Sequence, residues 1–516
     1  MLSIEQRLAD SQTQNALLKQ QVALLEEQVS WLKRRLFGRS SEKMPASEVS
    51  PDQGWLFNEA EVLLTVTAPE TLTIPAHERK KSGRKRLAAD LPRVEVIHDL
   101  PEAQKVCAAD GTALERIGEE TSEQLDYQPA KVRVIRHVRP KYACPGCRQG
   151  VKIAPVAPQL LPKAQASASL LAHLVTAKYV DGLPLHRQEA QFSRLGLRLG
   201  RATMAGWMIK LGGTHIVPLI NLLNEQLLAA PLIHCDETRL QVLKSAKSPS
   251  SDHWMWVRAA GPPGRRIVLF DYDPSRGAKV PERLLADFKG ILLTDGYEPY
   301  HAVARTRGLV HAGCWAHARR YFEEARKAHP DAASSARARI AIDGIGKLYR
   351  IEREIKELPP VERLTVRAQH SAPILHELRA WLEGSANAVL PQSALGKAIH
   401  YTLGQWPKLT RFLEHGEIPL DNNRCENAIR PFVIGRKGWL FSDTQAGATA
   451  SANLYSLVET AKANGLEPHA YLTRLFAELP QATAVEHFEA LLPWSVTNAA
   501  PSLASHQPEQ RKSAVY

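Results

Sequence analysis

One stretch constrains this chain more than any other: Pro231-Leu-Ile-His-Cys-Asp-Glu-Thr-Arg-Leu-Gln-Val-Leu243. Apolar Leu232 and Ile233, then alternation through Leu240, Val242 and Leu243, is the pattern of a β-strand. Two adjacent acids, Asp236 and Glu237, interrupt it. An ionised carboxylate in a buried strand is costly unless it is paired or binds a metal. Either the acids face water at a strand edge, or they are there for chemistry. The residues that follow decide between these.

Two more strands come next, Trp254-Met-Trp-Val-Arg258 and Arg266-Ile-Val-Leu-Phe270, joined by the turn signal Gly261-Pro-Pro-Gly264. Residues 280 to 288 have helical spacing. A fourth apolar run, Gly290 to Gly296, ends abruptly in Asp295, and a fifth, Gly308 to Gly313, leads into a helix from Cys314. Three antiparallel strands, a helix, an acid-tipped fourth strand and a fifth strand are the order of an RNase H-like fold. There the first and fourth strands are neighbours, so Asp236 and Asp295 are expected to face each other at the carboxyl ends where open α/β sheets place ligands. Glu237, next in the strand, is expected on the opposite face, so that neutralising it has little effect.

A third acid completes such a site, and Glu426 in Pro419-Leu-Asp-Asn-Asn-Arg-Cys-Glu-Asn-Ala-Ile-Arg-Pro431 is the candidate. Asp421, Asn422 or Asn423 is placed to cap a helix holding Glu426 in its first turn. A capping box between Asn423 and Glu426 is the competing account. The helix is expected to be short, ending at Arg430-Pro431, and a helix-rich insertion over about 325–415 separates it from Asp295.

With these pieces in place, the chain resembles a DDE transposase of the insertion-sequence-sixty-six family. The matching segments are His234-Cys-Asp-Glu-Thr238, Thr294-Asp-Gly-Tyr297, Cys314-Trp-Ala-His-Ala-Arg-Arg320, Asn422-Asn-Arg-Cys-Glu-Asn-Ala-Ile-Arg-Pro431 and Gly435-Arg-Lys-Gly-Trp439. They are spread in order over nearly the whole chain. The resemblance implies a DNA transposase that frees a 3′-hydroxyl at element ends and transfers it into target DNA. It also implies two Mg²⁺ (or Mn²⁺) ions, carried by Asp236, Asp295 and Glu426, with Asp236 bridging. Carboxylates are the hard oxygen ligands such ions prefer. It places His317 near the active site, at a phosphate or the leaving oxygen, although Cys314 and His317 also fit a buried thiol and a packed ring. Arg319, Arg436 and Lys437 are the expected phosphate contacts. Family members act with two small accessory proteins of the same element. An RNase H-like nuclease or junction resolvase, and a decayed transposase that only binds DNA, are the rival readings.

The remainder is consistent with a multidomain α+β protein. Ile4, Leu8, Ser11, Asn15, Leu18, Val22, Leu25, Val29, Leu32 and Leu36 form a heptad seam. Val at a and Leu at d favour a parallel dimer, with Asn15 fixing register; an amphipathic helix packed on its own chain is the alternative. Residues 39–93 are a basic linker holding Arg84, Lys85 and Arg86, a phosphate-contacting arm or a solvated tail. Residues 94–160 carry Cys107, Asp110, Cys144 and Cys147. Cys144-Pro-Gly-Cys147 is half of a zinc knuckle, and in the resembled family two halves form a zinc-ribbon-like module. Here Asp110 stands where the second cysteine of the first half belongs. Carboxylate oxygen can ligate Zn²⁺, and a knuckle without metal is the other outcome.

Residues 161–227 have helix-turn-helix order, with Arg194 and Arg201 placed to meet DNA. The catalytic domain is assigned to 228–465 and a helical element with a polar tail to 466–516. A net charge of +12 at pH 7 favours a polyanionic partner. No signal peptide or 18-residue apolar run is recognised, and six cysteines are too few for a disulfide scaffold. The expected location is the bacterial cytoplasm.

Overall fold

The computed structural model describes residues 14–15, 18–19, 22, 132–143, 151–248, 250–328 and 333–496. Residues 66–138 form a unit of their own, of which 132–138 are described and carry no regular structure. Most of the heptad seam, the basic run holding Arg84, Lys85 and Arg86, the cysteines at 107, 144 and 147, Asp110 and the C-terminal tail lie outside the described residues. Of the seam, Asn15, Leu18 and Val22 are described, and all three are helical, as are Gln14 and Lys19 beside them.

A short antiparallel hairpin of β1 (Lys141–Ala143) and β2 (Val151–Ile153) precedes three helices: α1 (Ala168–Tyr179), α2 (Leu185–Arg194) and α3 (Arg201–Lys210). Leu174, Phe192 and Met204, one from each helix, form a small core between them. Gly196 takes φ +80° in the turn between α2 and α3, a conformation that favours glycine. A π-helical turn and α4 (Val217–Leu228) lead into the sheet. Leu219, Leu223 and Leu227, four residues apart, are the buried stripe of α4.

The sheet is built on β3 (Leu232–Lys244). It pairs antiparallel with β4 (Asp252–Ala260), which pairs with β5 (Ile267–Asp273). On its other side β3 pairs parallel with β6 (Ile291–Thr294), and β6 with β7 (Val310–Gly313). The order β5-β4-β3-β6-β7 puts the first and fourth of the five strands side by side, as the sequence pattern requires. β8 (Ser442–Thr444) pairs parallel with the outer end of β3. Helices α5 (Lys279–Leu284) and α6 (Glu298–Arg307) flank β6 in sequence. Gly290 immediately precedes β6, where a Cβ would meet the Pro231 carbonyl oxygen at 2.6 Å, so glycine lets the starts of β3 and β6 close up.

Two cores result. The larger joins the sheet to α1, α4 and the helices α12 (Asn423–Trp439), α13 (Gln445–Ala463) and α14 (Pro468–Glu478). The second joins β6 and β7 to α7 (Trp315–Ala328), α8 (Ala333–Glu354), α10 (Ala372–Ala386) and α11 (Ala394–Leu409), with the short α9 (Pro360–Val366) between α8 and α10. These helices occupy the stretch expected to be helix-rich. Small-residue-rich α13 covers the edge of β5: Phe270 N–H donates to Ser456 Oγ at 2.8 Å and Val268 N–H to Thr460 Oγ1 at 3.1 Å. Edge amides that would otherwise invite another strand are thereby satisfied. One expectation is corrected. The helix bearing Glu426 does not end at Arg430-Pro431; α12 runs through Pro431 to Trp439, with Phe432 and Val433 buried.

Candidate active site

The parallel register of β3 with β6 ends at His234↔Leu293. Asp236 and Asp295 each lie two residues beyond that last pair, where the strands part. Asp295 Oδ1 accepts the backbone N–H of Tyr297 at 2.9 Å, just before α6. Asp236 Oδ1 accepts the backbone N–H of Glu237 at 2.8 Å. Burial pushes the Asp236 carboxyl well above its ordinary range, and the charges of Glu237, Asp295 and Glu426 push it further. Asp295 is also raised by burial, offset by the Tyr297 amide and by Arg276, Arg320 and Lys408. Asp236 thus lies within reach of the charges of the three other acids.

The charge of Glu426 reaches Asp236 from the first turn of α12. The start of that helix is fixed by Asn422, which is fully buried. Its Nδ2 donates to the Cys235 carbonyl at 2.8 Å, its Oδ1 meets His234 Nδ1 at 3.0 Å, and its backbone N–H donates to Cys314 Sγ at 3.2 Å. One residue thus ties α12 to β3 through its side chain and to Cys314, just after β7, through its backbone. The capping-box alternative fails on geometry. The helix begins at Asn423, Asn422 gives no side-chain cap, and the Asn423 amide goes to Asp421 Oδ1 at 3.1 Å. Glu426 Oε1 instead lies 3.5 Å from His317 Nδ1 and 3.8 Å from Cys314 Sγ. Burial holds His317 well below the usual imidazole range, and Arg320 adds to this.

Glu237, the neighbour of Asp236 in β3, is itself buried and paired: its side chain is 2% exposed. Arg276 donates to its Oε1 from Nε at 3.0 Å and Nη2 at 2.8 Å, and Tyr300 Oη donates to its Oε2 at 2.7 Å. Burial and Asp295 push its carboxyl up to about 7, against the pull of Arg276 and Tyr300. Arg276 itself lies over the rings of Tyr297 (4.0 Å) and Trp254 (4.6 Å). Sequence reasoning missed Arg276, Tyr300, Arg320 and Lys408. Arg320 had a legible signal, since it is three residues from His317 and shares its helix face. Arg276 follows β5 in a loop, and no spacing marks it.

The other expected residues are placed as follows. Arg319 is buried on α7, with Nη2 3.0 Å from Glu323 Oε1. Arg436 turns its Nη1 to the Arg239 carbonyl and, at 3.4 Å, to Thr238 Oγ1, so it fastens α12 to β3. Lys437 is exposed on the same helix, and Arg194 and Arg201 are exposed around the α2–α3 turn. Cys235 and Cys425 are buried, and Cys425 Sγ donates to the Val257 carbonyl at 3.3 Å.

A mixed sheet of this order, with acids at the parting ends of its two central parallel strands and a third on a helix behind them, is the RNase H-like core of a DDE enzyme. The chain belongs to the IS66 transposase family. Residues 163–450 match the model described as "Transposase IS66 family". Residues 104–148 match "zinc-finger binding domain of transposase IS66", 24–96 "Transposase C of IS166 homeodomain" and 456–494 "IS66 C-terminal element". Similar proteins occur in Sinorhizobium fredii (strain NBRC 101917 / NGR234). Uncharacterized protein y4jD is 35% identical over 500 residues, covering 93% of this chain and 95% of its own. Uncharacterized protein y4qI is 33% identical over 512 residues, covering 95% and 93%. Among the described residues no helix is long and apolar enough to cross a membrane.

Proposed function

We propose that this chain catalyses cleavage at the ends of its element and transfer of the freed 3′-hydroxyl into target DNA. The observation that carries this is the placing of Asp236 and Asp295 two residues beyond the last pair of β3 and β6, with the charge of Glu426 reaching Asp236. Burial and the neighbouring charges of Glu237, Asp295 and Glu426 raise Asp236, and cations among these carboxylates relieve that repulsion. The donors are all oxygen, which fits Mg²⁺ or Mn²⁺. Such ions, when bound, activate the attacking oxygen and stabilise the leaving one.

In this reading Asp236, Asp295 and Glu426 would hold the cations, with Asp236 central in the set. Asn422 fixes the angle at which Glu426 enters. Arg320, Lys408 and Arg276 surround Asp295 with positive charge and are the groups placed to hold the DNA backbone there. Arg194 and Arg201 contact duplex DNA at the helix-turn-helix, while Arg84, Lys85, Arg86 and Lys437 add phosphate contacts. Cys107, Asp110, Cys144 and Cys147 hold one Zn²⁺, residues 1–38 form a parallel dimer, and the protein works in the bacterial cytoplasm with two small accessory proteins.

The test is a joining assay with purified chain, DNA carrying the element ends, a target plasmid and Mg²⁺. Products with element 3′ ends covalently joined to target support the proposal. Cutting without joining would make the chain a nuclease, and binding without either would make it a regulator.

A further inference from the structure

One corner of the site has donors that Mg²⁺ does not choose. Cys314 immediately precedes α7, His317 lies in its first turn, and Glu426 faces both from α12. The Cys314 Sγ, His317 and Glu426 ligand atoms all lie within 4.8 Å of one another, with Sγ–Oε1 at 3.8 Å and Nδ1–Oε1 at 3.5 Å. A tetrahedral zinc with bonds of about 2.3 Å to sulfur, 2.0–2.1 Å to nitrogen and 2.0–2.2 Å to oxygen puts its ligands about 3.3–3.6 Å apart. The two measured spacings are within a few tenths of an ångström of that. His317 Nδ1 is buried with no hydrogen-bond partner among the described residues, an arrangement that costs free energy unless something binds there. Cys314 Sγ accepts the Asn422 N–H at 3.2 Å, and the backbone N–H of His317 also points to it. Burial and the charges of Glu426 and Asp421 push the Cys314 thiol well above its ordinary range, and these two donors offset part of that; the thiolate that binds metal forms as the cation enters.

We infer that Cys314, His317 and Glu426 form a zinc site with three protein ligands and one open position. Thiolate and imidazole select Zn²⁺ over Mg²⁺ by softness, and Zn²⁺ lies far above Mg²⁺ in affinity for such donors. The site shares Glu426 with the carboxylate set. Resting on the function proposed above, occupancy by Zn²⁺ therefore takes Glu426 from that set and suppresses Mg²⁺-dependent joining.

Binding is measured on the full chain without DNA, by equilibrium dialysis with Zn²⁺ and by the visible and near-ultraviolet spectrum with Co²⁺ as the probe. The cysteines at 107, 144 and 147 give their own signal, so the readout is the difference between wild type and Cys314→Ser. Loss of one equivalent of Zn²⁺ and of one tetrahedral Co²⁺ component, reproduced by His317→Asn, supports the site. Unchanged stoichiometry and spectrum in either folded variant overturns it. Circular dichroism checks folding, and His317→Asn carries the test if Cys314→Ser does not fold. Added Zn²⁺ should then inhibit joining in Mg²⁺. Zinc bound at the site with no effect on joining overturns the sharing of Glu426. Absence of joining under any condition overturns the transposase reading and leaves the binding result standing.

Discussion

Replacing Glu237 with Gln should stabilise the metal-free protein at pH 8, although it removes an ion pair with Arg276. Glu237 has its carboxyl raised from 4.5 to about 7 in the fold. A raised carboxyl contributes stability that is fully present below its unfolded value and is lost as pH climbs through the folded one. Between about pH 4.5 and 7 the wild type therefore loses stability at this residue. The shift corresponds to at most about 3 kcal/mol, at 1.36 kcal/mol per pH unit. Gln keeps the shape of the protonated acid and carries no charge, so it escapes that loss. At pH 5 the two proteins should melt alike; at pH 8 the variant should melt higher, by roughly 5 °C at the upper limit. The gain is small because Arg276, 35% exposed, compensates part of the buried charge. Mg²⁺ should reverse the sign, since cations among the acids remove the repulsion and leave Glu237 its bonds to Arg276 and Tyr300. Melting of both proteins from pH 5 to 8, with and without Mg²⁺, is the assay. A variant less stable than wild type at pH 8 without metal would refute the reasoning, and so would a pH-independent difference.

Three further outcomes are expected. Asn422→Ala leaves His234 Nδ1 and the Cys235 carbonyl without their partners in a fully buried place, and should cost about 2–4 kcal/mol in urea unfolding; a loss under 1 kcal/mol would deny Asn422 its role in seating α12. Thr460→Val and Ser456→Ala each orphan an edge amide of β5 and should cost about 1–2 kcal/mol, with faster amide exchange at Val268 and Phe270 as the marker. Deleting residues 1–38 should convert a dimer to a monomer in sedimentation, and Asn15→Val should admit higher oligomers; a full chain that is monomeric at tens of micromolar would sink the coiled-coil reading.

The sheet was legible because its constraints are local. Alternation set β3, the Gly261-Pro-Pro-Gly264 turn set the hairpin between β4 and β5, and an apolar run ending in an acid set β6. The order of those elements then implied that β3 and β6 are neighbours. What the sequence hid depends on tertiary geometry. Period-two alternation puts Glu237 opposite Asp236, but it does not say that both faces of β3 are buried. The partner that makes Glu237 tolerable, Arg276, comes from a loop with no periodicity. Pro431 looked like a helix end because proline removes a backbone donor. The apolar face of Phe432 and Val433 against the sheet outweighs that, and α12 continues. Arg319 and Arg320 are adjacent and both basic, so the sequence does not separate them; in the fold the charge of Arg320 reaches Asp295 while Arg319 pairs with Glu323.

The central claim is that Asp236, Asp295 and Glu426 act together as the metal-binding set for DNA joining. It is tested most directly by comparing Asp236→Asn, Asp295→Asn and Glu426→Gln with wild type for joining in Mg²⁺ and for binding to element ends. Each substitution keeps size and removes ligand charge, so each should reduce joining by at least about a thousandfold, a loss of some 4 kcal/mol in the barrier. End binding should stay within a few-fold of wild type, because the basic surfaces are untouched. Joining near the wild-type rate by any one of the three would remove that residue from the set and contradict the account.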